Sequence, residues 1–148
     1  MIEELKGNLL DSGCEYLVNT INCRGVMGKG VALQFKTFYP DLFKWYVKKF
    51  ELGELSPGKL YYYEEEDLFT KTKIINLTTK DDWFYPSSYN WIGHCVLDLR
   101  DFFYDKPNAT IAMPRIGCGC GGLSWENVRQ IIIDHLDCLN ATFKIYSL

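Results

Sequence analysis

Two glycine-rich loops restrict what this chain can fold into. Gly25-Val26-Met27-Gly28-Lys29-Gly30 precedes the apolar stretch Val31–Tyr39, and Gly117-Cys118-Gly119-Cys120-Gly121-Gly122 precedes the helical stretch Ser124–Asn140. Each follows a β-like run and opens a helix. Glycine tolerates positive φ and lets the backbone pass close to a ligand, and a helix N-terminus presents unpaired N–H groups and a positive dipole end. Two such loops read as two walls of one diphosphate site.

The rest of the chain supports an α/β unit. Tyr16–Ile21 is a β-like run, and Val31, Gln34, Phe35 and Phe38 keep helical spacing. Pro40 ends that helix or starts the next, Asp41–Phe50. Lys59–Tyr63, Lys73–Leu77 and Ala109–Pro114 read as strands, with Thr142–Ser147 closing the chain. Ser87 or Ser88 can cap a helix whose apolar face is Ile92, Cys95, Val96, Leu99, Phe102 and Phe103. Ser124 can cap the last long helix, with Glu126 in its first turn. Without internal repeat or linker, residues 1–148 read as a single domain. Strands followed by helices imply a largely parallel sheet covered on both faces, with ligands at the C-terminal strand ends.

Composition narrows the function. A content of 47% hydrophobic and 16% aromatic residues is that of a globular domain. No apolar run approaches the roughly 18 residues of a membrane span, and Glu3, Glu4 and Asp11 replace the basic start of a secretion signal. A cytoplasmic protein without membrane partners, and a monomer, is expected. The six cysteines fit no CxxC or Cys/His zinc spacing and read as small core or loop residues. Net charge −3 without a basic run argues against extensive phosphate gripping and favours a small anionic ligand.

Two nucleotide motifs can be set aside. Gly25 and Gly30 have P-loop spacing, but Val31 and Ala32 stand where Lys and Ser or Thr belong. Gly117, Gly119 and Gly122 match G-x-G-x-x-G, yet a dinucleotide fold needs an acidic residue roughly 20 positions later and several further βα units, for which a chain ending at Leu148 has no room. His94 and His135 both fall within helical stretches, so neither a Ser–His–Asp triad nor a metal cluster is visible, and no metal is expected.

Val18–Cys23 running into Gly28–Ala32, then Met113–Gly119, then Leu123–Val128 resemble the macrodomain, the module that binds ADP-ribose. The resemblance extends from Gly7 to Leu148 and implies a three-layer α/β/α fold around a central, mostly parallel mixed sheet. It is closest to two hydrolytic branches. Met113–Gly119 and the ending Ile145–Leu148 are similar to the terminal ADP-ribose protein glycohydrolases. Asn22–Lys36 and Thr79–Trp83 are similar to the antitoxin enzymes that strip ADP-ribose from DNA bases.

The resemblance also implies roles. Asn8 falls where the family usually has an aspartate that accepts from the adenine amino group, and an asparagine carbonyl can do the same. Asn22 would bond the distal ribose, and Gly28, Lys29, Gly30 and Val31 the pyrophosphate. Gly117, Cys118, Gly119, Cys120, Gly121 and Gly122 would form the opposite wall. Tyr146 matches the aromatic that stacks on adenine, and Leu9, Asn19 and Ile116 complete the implied contact set.

Lys80 is the reactive candidate, because both branches place a functional lysine after a short β run ending in Thr. It can attack the anomeric carbon, or stabilise the departing group by its charge. Attack needs a neutral amine, lowered from about 10.4, and Asp81 and Asp82 would oppose this. An electrostatic or proton-transfer role is therefore preferred. The catalytic aspartate of the protein-directed branch is replaced by Gly121, as in the DNA-directed branch, whose members usually carry Asp where Ser124 stands and add a toxin-binding domain. These features imply a free-standing hydrolase that takes ADP-ribose from a DNA base or a protein carboxylate without a cofactor. An ADP-ribose 1''-phosphate phosphatase and a non-catalytic reader are the alternatives.

Overall fold

In the central strands, alternate side chains go to opposite faces of one sheet, and both faces are apolar. The computed structural model describes residues 1–148. Strands β1 (Ile2–Lys6), β2 (Tyr16–Ile21), β3 (Leu60–Glu66), β4 (Lys71–Thr78), β5 (Thr110–Pro114) and β6 (Thr142–Ser147) form a six-stranded sheet in the order β1-β6-β5-β2-β4-β3. All neighbours are parallel except the β3–β4 pair.

Helices α1 (Gly30–Phe38) and α2 (Pro40–Glu51) cover one face. There Phe35, Leu42 and Tyr46 pack on Leu17, Ile21, Ile74 and Ala112. Helices α3 (Tyr89–Phe103) and α4 (Trp125–Leu136) cover the other. Ile92, Val96, Leu99, Val128 and Ile132 meet Val18, Ile75, Leu77, Met113 and Phe143 there. Burial on both faces explains why β2, β4 and β5 read as near-continuous apolar runs. The three-layer α/β/α architecture with a mostly parallel mixed sheet agrees with the sequence reading.

Several local features depart from it. Strand β1 carries Glu3, Glu4 and Lys6 and shows no apolar run, yet register pairing from Ile2↔Phe143 to Lys6↔Ser147 makes it an edge strand. β3 and β4 form a hairpin rather than flanking a helix, and β3 continues through Glu64–Glu66. Three consecutive glutamates look like a solvated loop, but Lys71 Nζ pairs with both Glu64 and Glu66 at 3.0 and 3.5 Å, which reduces their mutual repulsion. Ser88 caps α3 by accepting from Trp91 N–H at 3.2 Å. Ser124 occupies the N-cap position of α4, but its side chain makes no capping bond. That helix ends at Leu136, earlier than its sequence pattern suggests.

Candidate functional site

The C-terminal ends of the parallel strands open into a cavity of about 720 Å³, within the roughly 300–1,000 Å³ usual for small-molecule sites. Its first wall is the loop between β2 and α1. Asn22 organises this loop: its amide donates to Val26 C=O at 2.7 Å and its Oδ1 accepts from Arg24 N–H at 2.9 Å. From α2, the Tyr46 hydroxyl accepts from Gly25 and Val26 N–H at 3.1 and 3.2 Å. Burial pushes that phenol upward, so it stays protonated and can donate. Gly25 has φ +77°, and a Cβ there would stand 2.9 Å from Phe50 Cδ2. At the end of the loop, Lys29 is in the N-cap position of α1 without a side-chain capping bond, which leaves the first-turn N–H groups to an anion.

The loop between β5 and α4 is the second wall. It folds back on itself, with Leu123 N–H donating to Gly117 C=O at 2.9 Å and Gly122 N–H to Gly119 C=O at 3.1 Å. Position 121 admits no side chain, because a Cβ there would lie 2.7 Å from the Gly117 carbonyl carbon. Cys120 Sγ lies 3.8 Å from where a Cβ on Gly30 would stand, so the two loops face each other across the cavity.

A short segment, residues 79–87, ties the loops together at the mouth. Asp81 C=O accepts from Cys23 N–H at 2.9 Å, and its carboxylate pairs with Arg24 at 3.3 Å. At the other end Ser87 N–H donates to Gly121 C=O at 3.0 Å, and Ser87 Oγ donates to Thr79 C=O. Lys80 sits between these ties and lines the cavity, its Nζ donating to Trp83 C=O at 3.2 Å. Burial, with Asp81 nearby, pushes the Cys23 thiol up to about 12, which keeps it un-ionised beneath this segment.

The far end is built from β1, β6 and α4. Gly7 N–H donates to Ser147 C=O at 2.8 Å, and Tyr146 lies beside Gly7. Asn8 Oδ1 accepts from Leu10 N–H at 3.0 Å, so one lone pair caps the 3-10 turn Leu9–Asp11 and the other remains. Trp125 forms a side wall with the Arg115 guanidinium over its ring at 4.9 Å, while its Nε1 donates to Glu4 at 3.2 Å. A 2.8 Å bond from Arg129 Nε, seconded by that indole, holds the Glu4 carboxyl below the usual range.

Most residues singled out from the sequence therefore meet in one cavity: Asn8, Leu9, Asn22, Gly28 to Val31, Lys80, Gly117 to Gly121 and Tyr146. Three do not line it. Asn19 is fully buried on the α1/α2 face of the sheet and donates to Asn76 Oδ1 at 3.1 Å, one position before the strand end at Thr20 and Ile21. Ile116 points down into the α3/α4 core, and Gly122 faces outward beside Pro86. Asn22 reaches the cavity, but two of its side-chain bonds are spent inside its own loop. Among the lining residues that sequence reasoning missed are Thr79, Trp83, Arg115, Leu123 and Trp125. All but Thr79 are large side chains beside the motif glycines or Lys80, a proximity that could have flagged them.

Comparison with known proteins agrees with this geometry. Residues 18–132 match the Macro domain family. The chain is a macrodomain. It is 40% identical over 139 residues to the DNA ADP-ribosyl glycohydrolase of Thermus aquaticus, covering 94% of this chain and 39% of that protein. The macrodomain of Mycobacterium tuberculosis DarG superposes with a TM-score of 0.91 at 39% identity, covering 100% of this macrodomain and 98% of that one. Thermosipho africanus DarTG in complex with ADP-ribose gives a TM-score of 0.87 at 27% identity, covering 97% of this chain and 41% of that one. The macrodomain thus spans about two fifths of the curated DNA ADP-ribosyl glycohydrolases it matches.

Proposed function

We propose that this macrodomain is an ADP-ribosyl hydrolase that releases ADP-ribose from a modified DNA base. The observation that carries the reading is the position of Lys80, held at the cavity mouth between two glycine loops, with no space for a carboxylate at Gly121. A second-loop aspartate, the partner that the protein-directed mechanism uses, would displace the Gly117 backbone. The DNA-directed branch that the sequence resembles also has glycine at this position, and relatives about 40% identical are named DNA ADP-ribosyl glycohydrolases.

In this reading adenine stacks on Tyr146, the diphosphate takes the α1 N-terminus and the second loop, and the anomeric carbon lies by Lys80. Hydrolysis breaks the bond from that carbon to the base nitrogen and forms a bond to a water oxygen. One proton of that water is retained on the new hydroxyl and the other is lost to solvent, while the departing nitrogen, which keeps the bonding pair, takes up a proton from solvent, so that the products are ADP-ribose and the neutral base. The Lys80 ammonium offsets the negative charge that develops on the departing base, a contact worth most in the transition state. No metal or cofactor is required, and we place the protein in the cytoplasm as a monomer.

The test offers one purified sample three substrates: ADP-ribosylated DNA, glutamate-linked ADP-ribosyl protein and ADP-ribose 1''-phosphate. Release of ADP-ribose from the DNA alone is expected. Turnover of only the protein or only the phosphate would redirect the assignment, and binding without turnover would make the macrodomain a reader.

A further inference from the structure

Three consecutive aromatic side chains stand in solvent at the mouth of the cavity: Trp83, Phe84 and Tyr85 are 53%, 72% and 62% exposed. They do not dangle. Their segment is fixed to the first loop through Asp81 and to the second through Ser87. Between these anchors Asp82 Oδ1 accepts from Phe84 N–H at 3.0 Å, and Asp82 C=O accepts from Tyr85 N–H at 3.3 Å. The rings meet edge to face, Trp83 with Phe84 at 5.8 Å and 89°, Phe84 with Tyr85 at 5.4 Å and 88°. An edge-to-face pair occupies one face of one ring and leaves the others open to a planar partner.

We propose that Trp83, Phe84 and Tyr85 form a docking surface for the unpaired nucleotides flanking the modified base. The inference rests on the reading of DNA as substrate and adds how the strand itself is held. Trp83 lines the cavity beside Lys80, so the surface is continuous with the reacting end of the site. A base bonded to an anomeric carbon at Lys80 leaves the cavity next to Trp83, and its neighbours along the strand meet Phe84 and Tyr85. Bases stack on aromatic side chains regardless of sequence because each has a π face, and a duplex hides those faces.

The charges agree. Two carboxylates on this segment would repel a phosphate backbone, but Asp81 is paired with Arg24, and Asp82, which keeps its charge, is held toward its own backbone by Phe84 N–H. Lys29 is an exposed cation on the facing loop. Two cations, Lys29 and Lys80, line the cavity that the strand approaches, against one carboxylate of this segment, Asp82, that has no cation partner, which favours a polynucleotide over a protein partner.

The experiment compares wild type with the double variant Phe84→Ala, Tyr85→Ala, neither of which lines the cavity. Substrates are an ADP-ribosylated single-stranded oligonucleotide and the same modified nucleoside alone. On the oligonucleotide the variant should show KM raised about tenfold or more with kcat little changed, the scale of lost base–aromatic stacking. On the nucleoside, and in calorimetry with free ADP-ribose, it should match wild type. Unchanged KM on the oligonucleotide or an equal loss on both substrates would overturn the docking surface. Should wild type turn over neither substrate, the proposed reaction fails. Fluorescence anisotropy with the unmodified oligonucleotide then still decides the inference: binding by wild type and not by the variant supports it, and equal binding or none overturns it.

Discussion

Tyr46 and Asn22 share one hydrogen at the base of the first glycine loop: Tyr46 Oη lies 2.7 Å from both Asn22 C=O and Asn22 Oδ1. A hydroxyl has a single proton to donate, so it serves one oxygen at a time while its lone pairs take Gly25 and Val26 N–H. A loop that carries the pocket's first wall thus hangs on one phenol from α2.

Tyr46→Phe keeps the ring and leaves those two N–H groups without their acceptor. Stability should fall by about 1–3 kcal/mol, and ADP-ribose affinity should fall with it. Chemical denaturation and calorimetry read the two effects. Unchanged affinity in the destabilised variant would mean that the loop keeps its shape without the hydroxyl.

Gly28→Glu should fold normally, since a Cβ there meets only Val26 Cγ1 at 3.6 Å. Its carboxylate enters the wall assigned to the diphosphate. We expect no measurable ADP-ribose binding at a wild-type melting temperature, read by calorimetry and thermal denaturation. Wild-type affinity in this variant would remove the first loop from the ligand site.

Lys80→Ala should bind free ADP-ribose within a few-fold of wild type, because the adenine and diphosphate contacts proposed above lie elsewhere. Turnover on ADP-ribosylated DNA should drop by about 100-fold or more if the ammonium acts on transition-state charge. Raising the pH should not restore it. Wild-type turnover in the variant would move the chemistry to other groups.

The cysteines give a pH-dependent prediction. Burial raises the Cys23 thiol to about 12, and raises Cys95 and Cys118 as well. A raised thiol stays protonated and unreactive until the pH approaches its shifted value, so these three should resist iodoacetamide at pH 8. Exposed Cys120 and Cys138 should react, and ADP-ribose should protect Cys120 alone because it lines the cavity. Peptide mass spectrometry reads this directly. Labelling of Cys120 undiminished by ligand would place the ligand away from the second loop.

The layered fold was legible because its signals are local. Runs such as Leu17–Ile21 and Ile74–Leu77 are apolar on both faces, and helical spacing from Ile92 to Phe103 needs no tertiary knowledge. Strand β1 was not, since it exists only through pairing with β6. The glycine loops pointed to two walls of one cavity, which both of them line, but the depth of that cavity did not follow from the sequence. Asn19 and Ile116 lie next to lining residues in the chain and still point into the core, because a side chain's direction within a strand or turn is set by register. Trp125 and Arg115 went unread for the opposite reason: nothing local says that one stacks on the other.

The hairpin of β3 and β4 ends the sheet in a way that bears on handling the protein. An outermost strand offers unpaired main-chain groups to any other extended chain, the usual route to aggregation. Here that strand finishes in Glu64, Glu65 and Glu66, with the cation of Lys71 already engaged by two of them. A second copy aligning alongside would set rows of carboxylates against one another. Concentrated solutions should therefore stay clear near neutral pH and turn cloudy first under acid.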